Sequence, residues 1–154
     1  MIAVLQRIRS CSVTADGEPY SECGAGLLVL LGVSKDDGEE DAKLLCGKIS
    51  VLRIFCDGDD KMNLSVNDIG GSVMIVPNFT LLASYKKGKR PDFMYSARPE
   101  EAEKLFDFFC DTMEKLVPNV CRGKFRSDMQ VSLVNDGPVT IVCDSRVLKG
   151  ERSI

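Results

Sequence analysis

Met129-Gln130-Val131-Ser132-Leu133-Val134-Asn135-Asp136-Gly137-Pro138-Val139-Thr140-Ile141-Val142-Cys143 is the stretch on which the fold turns. Met129, Val131 and Leu133 alternate with Gln130 and Ser132, the period-two mark of a half-buried strand, and Val139 to Cys143 reads as another strand. Asn135 to Thr140 between them has two readings. One is a plain hairpin turn; the other is a rigid tip, poor in side chains, that presents backbone carbonyls to a ligand. A tertiary Gly-Pro amide prefers trans by only about 0.5–1 kcal/mol, so Gly137-Pro138 is open to the cis form. Glycine also lets another group approach the backbone closely.

Working outward, strands recur. Residues 2 to 9 read as one, and Ser12 to Cys23 reads as a hairpin around Asp16-Gly17, a strong turn signal. Gly26 to Val33 reads as a buried strand, and Ser72 to Leu82 and Val120 to Phe125 as two more. From Asp37 the period changes: Ala42, Leu45, Ile49, Leu52 and Phe55 mark an amphipathic helix behind the acidic start Glu39-Glu40-Asp41. A second helix starts at Pro99, carries Ala102, Leu105, Phe106, Phe109, Met113 and Leu116 on one face, and stops before Pro118. Both apolar faces read as core. Many strands with two isolated helices predict an α+β fold, a barrel-like antiparallel or mixed sheet with two main helices packed outside, and not a Rossmann array. No dinucleotide or Walker loop interrupts that pattern.

The chain has 154 residues, 44% hydrophobic and 28% charged, with 13 Gly and no Trp. That is ordinary globular composition at the length of one domain, and it excludes disorder, collagen and a coiled coil. A domain of this size buries roughly 70% of its unfolded surface and needs no staple. No linker or repeat divides it, so residues 1–145 form one domain, followed by a polar tail, 146–154, that is expected to fray. The longest apolar run, Leu27 to Leu31, is far too short to span a membrane, and the start lacks a signal-peptide pattern; a cytoplasmic protein is expected. The seven cysteines form no C-x-x-C pair and sit mostly among apolar neighbours, so they read as buried free thiols.

Histidine is absent. That removes the commonest general base, the commonest metal ligand and every Ser-His or Cys-His pair, so any catalysis must work another way; no metal or cofactor is expected. Three stretches could carry it. Val76-Pro77-Asn78-Phe79-Thr80-Leu81 ends an apolar strand with a proline, an amide and a hydroxyl, and Pro77 predicts a bend that frees nearby backbone groups. Thr80 reads as a structural hydroxyl or as an orienting or nucleophilic one. Lys86, Lys87, Lys89 and Arg90, with Arg98, face a single acid, Asp92, among Tyr85, Phe93 and Tyr95; this is either a solvated loop or a surface for phosphates and bases. Arg7, within an apolar strand, demands carbonyl or carboxylate partners and could fix a loop. The carboxylate pairs Asp36-Asp37, Glu39-Glu40 and Asp59-Asp60 read as helix starts and turns.

Together these blocks resemble the D-aminoacyl-tRNA deacylase family, also called D-tyrosyl-tRNA deacylases, from Met1 to about Ser145. The start M-x-A-V-x-Q-R-I, the strand Gly26 to Val33, Leu52-Arg53-Ile54-Phe55, Lys61-Met62-Asn63-Leu64-Ser65 and Met129 to Thr140 occur in family order. The resemblance implies a homodimer with active sites at the interface, the Gly137-Pro138 tip of one copy entering the other's pocket in the cis form. It implies hydrolysis of the ester joining a D-amino acid to the 3'-terminal adenosine of tRNA, acceptance of glycine, including glycyl-tRNA mischarged on tRNA-Ala, and exclusion of L-amino acids by the Gly-Pro backbone.

Carried over residue by residue, the resemblance gives Arg7 the task of holding the tip and Met129 a place in the pocket wall. Backbone N–H groups around Phe79 and Thr80 stabilise the oxyanion, Thr80 orients, and Lys86 to Arg90 meet tRNA or the partner copy. One departure stands out: Pro77-Asn78 replaces the family's Ser-Gln, which removes a backbone donor and a hydroxyl and shortens the amide by one methylene. The alternative implied by that departure is a tRNA- or DNA-binding interaction protein of the same fold with weak or relaxed deacylase activity.

Overall fold

The computed structural model describes residues 1–151. The chain runs β1 (Ile2–Ala15), β2 (Glu18–Cys23), β3 (Gly26–Gly32), α1 (Glu39–Val51), β4 (Phe55–Cys56), β5 (Met62–Leu64), β6 (Ser72–Pro77), α2 (Pro99–Glu114), β7 (Asn119–Arg122), β8 (Met129–Asp144) and α3 (Ser145–Leu148). A 3-10 turn, Phe79–Leu82, follows β6.

The main sheet follows the order β2-β1-β3-β6-β7, with β8 on the other side of β1. β1 is antiparallel to β2, β3 and β8, whereas β3–β6 and β6–β7 are parallel. Each parallel pair is bridged by a crossover helix, α1 for the first and α2 for the second, as parallel neighbours require. The result is the expected α+β architecture: a nearly closed, mixed barrel-like sheet with helices outside. The small β4–β5 ribbon lies apart.

Gly26 to Val33 is apolar throughout because both its faces are buried. Leu27, Val29 and Leu31 turn toward a core shared with Ile49, Phe106 and Phe109 of the helices. Leu28 turns the other way, into a second core with Ile8, Val13, Met74 and Val76. Gly26 is required where β3 meets β6: φ is +153°, and a Cβ would stand 1.9 Å from the Ser72 carbonyl oxygen.

Several expectations shift at their edges. The hairpin is present, with Asp16 and Gly17 at φ of 54° and 85°, but its first arm belongs to one 14-residue strand rather than two pieces. Phe55 leaves the α1 face and starts β4. The strand expected to reach Leu82 stops at Pro77, since proline has no N–H to continue the ladder. The first three tail residues belong to α3, which starts at Ser145 and is capped by the Asp144 side chain accepting from the Arg146 N–H at 3.0 Å. Residues 152–154 lie outside the described residues. Among the cysteines, Cys11, Cys46 and Cys110 are buried and Cys23, Cys121 and Cys143 half-buried, but Cys56 is exposed on the β4 edge.

Candidate functional site

The 129–144 segment is one strand, not two strands joined by a hairpin turn, because β1 pairs with it on both sides of the Gly-Pro step. Gln6 pairs with Thr140 and Ile8 with Asn135, so the single residue Arg7 stands opposite the four residues 136–139. The surplus is extruded as a bulge, with Gly137 at φ +132° and the Gly137-Pro138 bond cis. Gly137 and Pro138 are exposed.

Arg7 holds this bulge from beneath. Its Nε donates to the Asp136 carbonyl oxygen at 2.9 Å, and an Nη donates to the Ile54 carbonyl oxygen at 2.8 Å. Its side chain is 11% exposed, which makes these carbonyls its required partners. The Asp136 carboxylate adds a contact to Arg7 at 3.5 Å and accepts from Arg9 Nε at 3.0 Å. Asn135 Oδ1 accepts from the Val139 N–H at 3.0 Å, so the bulge is tied at its neck as well as from below. What it presents outward is main chain and the proline ring.

The second assembly lies where β6 ends. Pro77 packs beside Leu31, and the Asn78 N–H donates to the Leu31 carbonyl oxygen at 2.8 Å before the chain turns into the 3-10 helix. The first hydrogen bond within that helix runs from the Leu81 N–H to the Asn78 carbonyl oxygen. The N–H groups of Phe79 and Thr80 therefore have no intrahelical acceptor. Thr80 Oγ1 donates to Asn78 Oδ1, and the Phe79 carbonyl oxygen accepts from Ser96 Oγ at 3.2 Å. Phe79 is 57% exposed and meets Phe93 edge-on at 5.0 Å.

Pro77, Asn78, Phe79 and Met129 line one cavity of about 330 Å³. Its remaining wall is mostly apolar, with Leu31, Phe106 and Phe125, and Arg126 stands at the wall with its guanidinium paired to Glu100. Sequence reading missed these wall residues. Leu31 and Phe106 read only as core, and nothing local marks Arg126, although its positive φ of 57° is a backbone signature of a tight turn. Gly123 joins the two sides: a Cβ there would stand 3.1 Å from Met129 Sδ and 3.2 Å from Pro77 Cδ.

The predicted residues thus fall into three groups. Pro77, Asn78, Phe79 and Met129 come together at the cavity, with Thr80 outside its lining but hydrogen-bonded to Asn78; Arg7, Gly137 and Pro138 come together at the bulge, which does not line that cavity. Lys86, Lys87, Lys89 and Arg90 form the third, all exposed on a loop closed by the reciprocal Ser84–Asp92 backbone pair at 2.7 and 2.8 Å. None of these four forms a salt bridge among the described residues. Among the described residues no group of three or more Cys, Asp or Glu is arranged to hold a metal ion, and no helix is long and apolar enough to cross a membrane.

The family model described as D-Tyr-tRNA(Tyr) deacylase matches residues 4–144. A D-aminoacyl-tRNA deacylase of Escherichia coli O81 (strain ED1a) is 53% identical over 140 residues, covering 91% of this chain and 97% of its own. One from Shigella boydii serotype 18 is 52% identical over the same shares. Among solved structures, a protein described as c-Myc DNA Unwinding Element Binding Protein superposes with a TM-score of 0.88 at 38% identity, over 94% of this chain and 98% of its own. A probable eukaryotic D-amino acid tRNA deacylase shares the fold, with a TM-score of 0.79 at 17% identity over 93% and 98% of the two chains. With the family pattern matched from the first strand to the last and half the residues identical to those of the bacterial enzymes, the chain belongs to the D-Tyr-tRNA(Tyr) deacylase family and is a hydrolase.

Proposed function

We propose that the chain hydrolyses the ester joining a D-amino acid, or glycine, to the 3'-terminal adenosine of tRNA, and rejects L-aminoacyl esters with the Gly137-Pro138 main chain of a second copy. The observation that carries this reading is the grip of Arg7 on the Asp136 carbonyl, which fixes a protruding edge whose exposed residues, Gly137 and Pro138, offer main chain and a proline ring. Sorting by hand needs such an edge: backbone atoms collide with an L side chain, while a D side chain points away and glycine has none. That the bulge does not line the cavity of its own chain supports a homodimer in which each bulge completes the partner's site.

An aminoacyl ester is already reactive, so positioning suffices for much of the rate. The N–H groups of Phe79 and Thr80 are suited to stabilise the oxyanion, Asn78 and Thr80 orient water, and the neighbouring ribose hydroxyl of the tRNA assists. Pro77 and Met129 wall the pocket. The cations Lys86, Lys87, Lys89 and Arg90, in no salt bridge among the described residues, meet phosphates of the acceptor end. No step calls for a metal or cofactor, and a cytoplasmic site of action suits the substrate.

The test is hydrolysis of D-tyrosyl-, L-tyrosyl- and glycyl-tRNA side by side, with and without chelator. Fast loss of the D and glycyl esters alone, unchanged by chelator, supports the proposal; equal loss of the L ester overturns the selectivity. A second reading, a nucleic-acid-binding protein with weak or relaxed deacylase activity, draws on the Pro77-Asn78 departure and on the 38% identical structure described as a DNA-unwinding-element binding protein. Tight tRNA binding with no hydrolysis of any ester favours it.

A further inference from the structure

Three of the seven thiols converge on one place. Cys11 of β1 and Cys23 of β2 are direct cross-strand partners, and the thiols of Cys23 and of Cys121 on β7 are near enough that each influences the other's ionisation. Cys121 Sγ also donates to the Glu22 carbonyl oxygen at 3.4 Å. All three pack into the core that holds Met74 and Val76.

Their position in the barrel gives this cluster its meaning. β2 and β7 are the two ends of the sheet path, and no ladder joins them among the described residues. They are held by side chains instead: Ser21 Oγ donates to the Arg122 carbonyl oxygen at 2.9 Å, one residue from the Cys121–Glu22 contact. A cleft of about 650 Å³, lined by Cys11, Glu22, Cys23 and Ser132 among others, opens onto Cys11 and Cys23. Cys23 and Cys121 are half-buried, whereas Cys11 is 2% exposed.

We propose that Cys23 and Cys121 form a reversible intramolecular disulfide under a peroxide, fastening the β2–β7 seam of the barrel covalently. The Cys121 thiol loses its proton, and the thiolate attacks one peroxide oxygen; the O–O bond breaks, Cys121 becomes a sulfenic acid, and the departing hydroxide takes the released proton as water. Cys23 then attacks the sulfenic sulfur, the S–S bond forms, and the oxygen leaves with the Cys23 proton as a second water. Two thiols lose two electrons and two protons in total, and a dithiol reverses the step. Burial pushes all three thiols up, Cys23 to about 12, so the reactive thiolate is scarce at neutral pH. The seam thus stays open in ordinary conditions and closes only under sustained oxidation, faster as pH rises.

The experiment treats the folded full chain with hydrogen peroxide, alkylates the remaining thiols, digests without reductant and maps linked peptides by mass. A Cys23–Cys121 linked pair that dithiothreitol removes is expected, together with a melting temperature raised by roughly 5 °C or more, because the bridge closes a long loop. C23S and C121S each abolish the link and the shift; C11S keeps both. A Cys11–Cys23 link, a link between chains through Cys56, or no link in the folded protein overturns the proposal. The wild-type map decides the question even where a serine variant fails to fold.

Discussion

Arg7 Nε lies 2.9 Å from the carbonyl oxygen of Asp136, so a side chain of β1 grips the main chain of β8 at the point where β8 leaves the ladder. The same guanidinium reaches the Ile54 carbonyl at 2.8 Å, which fixes its angle. Lysine keeps the charge but not the planar fork. R7K is expected to lower kcat for a D-aminoacyl ester about tenfold, the order that a small misplacement costs, with KM for the tRNA little changed. A merely structural arginine would instead lower the melting temperature and leave kcat alone; steady-state kinetics beside a thermal melt separates the two.

Gly137 stands on the other side of that contact. At φ +132°, a Cβ would lie 2.9 Å from Val139 Cγ2 and 3.0 Å from both the Arg7 Nη2 and the Val139 N. Neither the Arg7 fork nor the Val139 backbone can give way without releasing the bulge. G137A is expected to cut D-aminoacyl-tRNA hydrolysis by about 100-fold or more while tRNA affinity, measured by filter binding, stays within about twofold. Unchanged turnover would remove the bulge from the active site.

Arg7 and Gly137 also show how far the sequence could be read. Arg7 in an apolar strand announces its need for carbonyls, and Gly137-Pro138 announces an unusual backbone. What neighbouring residues cannot reveal is that β1 pairs with β8 before and after the Gly-Pro step, which turns an apparent hairpin into a bulge. A turn and a bulge share the same local composition and differ only in a distant partner. Phe79–Leu82 reads as the end of a strand and is a 3-10 turn for another reason: four residues are too few for periodicity to separate strand from helix. The rest of the cavity wall is not legible locally, because Phe106, Phe125 and Arg126 meet Pro77 and Met129 only through the packing of α2 against the barrel end.

Thr80 Oγ1 donates its proton to Asn78 Oδ1, an amide oxygen. An amide is too weak a base to activate a hydroxyl as a nucleophile, so under the proposed function Thr80 orients rather than attacks. T80A is expected to slow D-ester hydrolysis by about tenfold and to leave no burst phase to lose. A fall beyond about 10⁴-fold, or trapping of an acyl-enzyme on wild type alone, would make Thr80 the nucleophile.

Under the proposed function the loop cations bear on affinity rather than on chemistry. Lys86 and Lys89 are exposed and unpaired among the described residues, flanking Gly88 at φ +73°. If each neutralises one phosphate, replacing one with alanine reduces the slope of log K against log salt by roughly 0.7–0.9. The K86A/K89A double variant should therefore weaken tRNA binding most at low salt and converge with wild type at high salt. An unchanged slope would assign the tRNA to another face.

Asp41 sits at the start of α1, 3% exposed, and ties that helix to the end of the described chain. Burial works to raise its carboxyl, but hydrogen bonds from Ser145, from Lys149 at 2.9 Å and from the Gly38 N–H at 3.0 Å outweigh it and hold the group at about 2. A carboxyl bound below its ordinary value of 3.8 stabilises the fold only while ionised. Its contribution is therefore complete above about pH 4, fades as pH falls toward about 2, and amounts to roughly 1–2 kcal/mol after allowance for solvent screening. D41N keeps the shape and loses the charge. Urea melts at pH 7 should show the variant less stable by that amount, and the gap should close as the pH drops from 4 to 2. A gap that persists at pH 2 would mean that the side chain acts through packing, with its ionisation adding nothing to the attachment of α1.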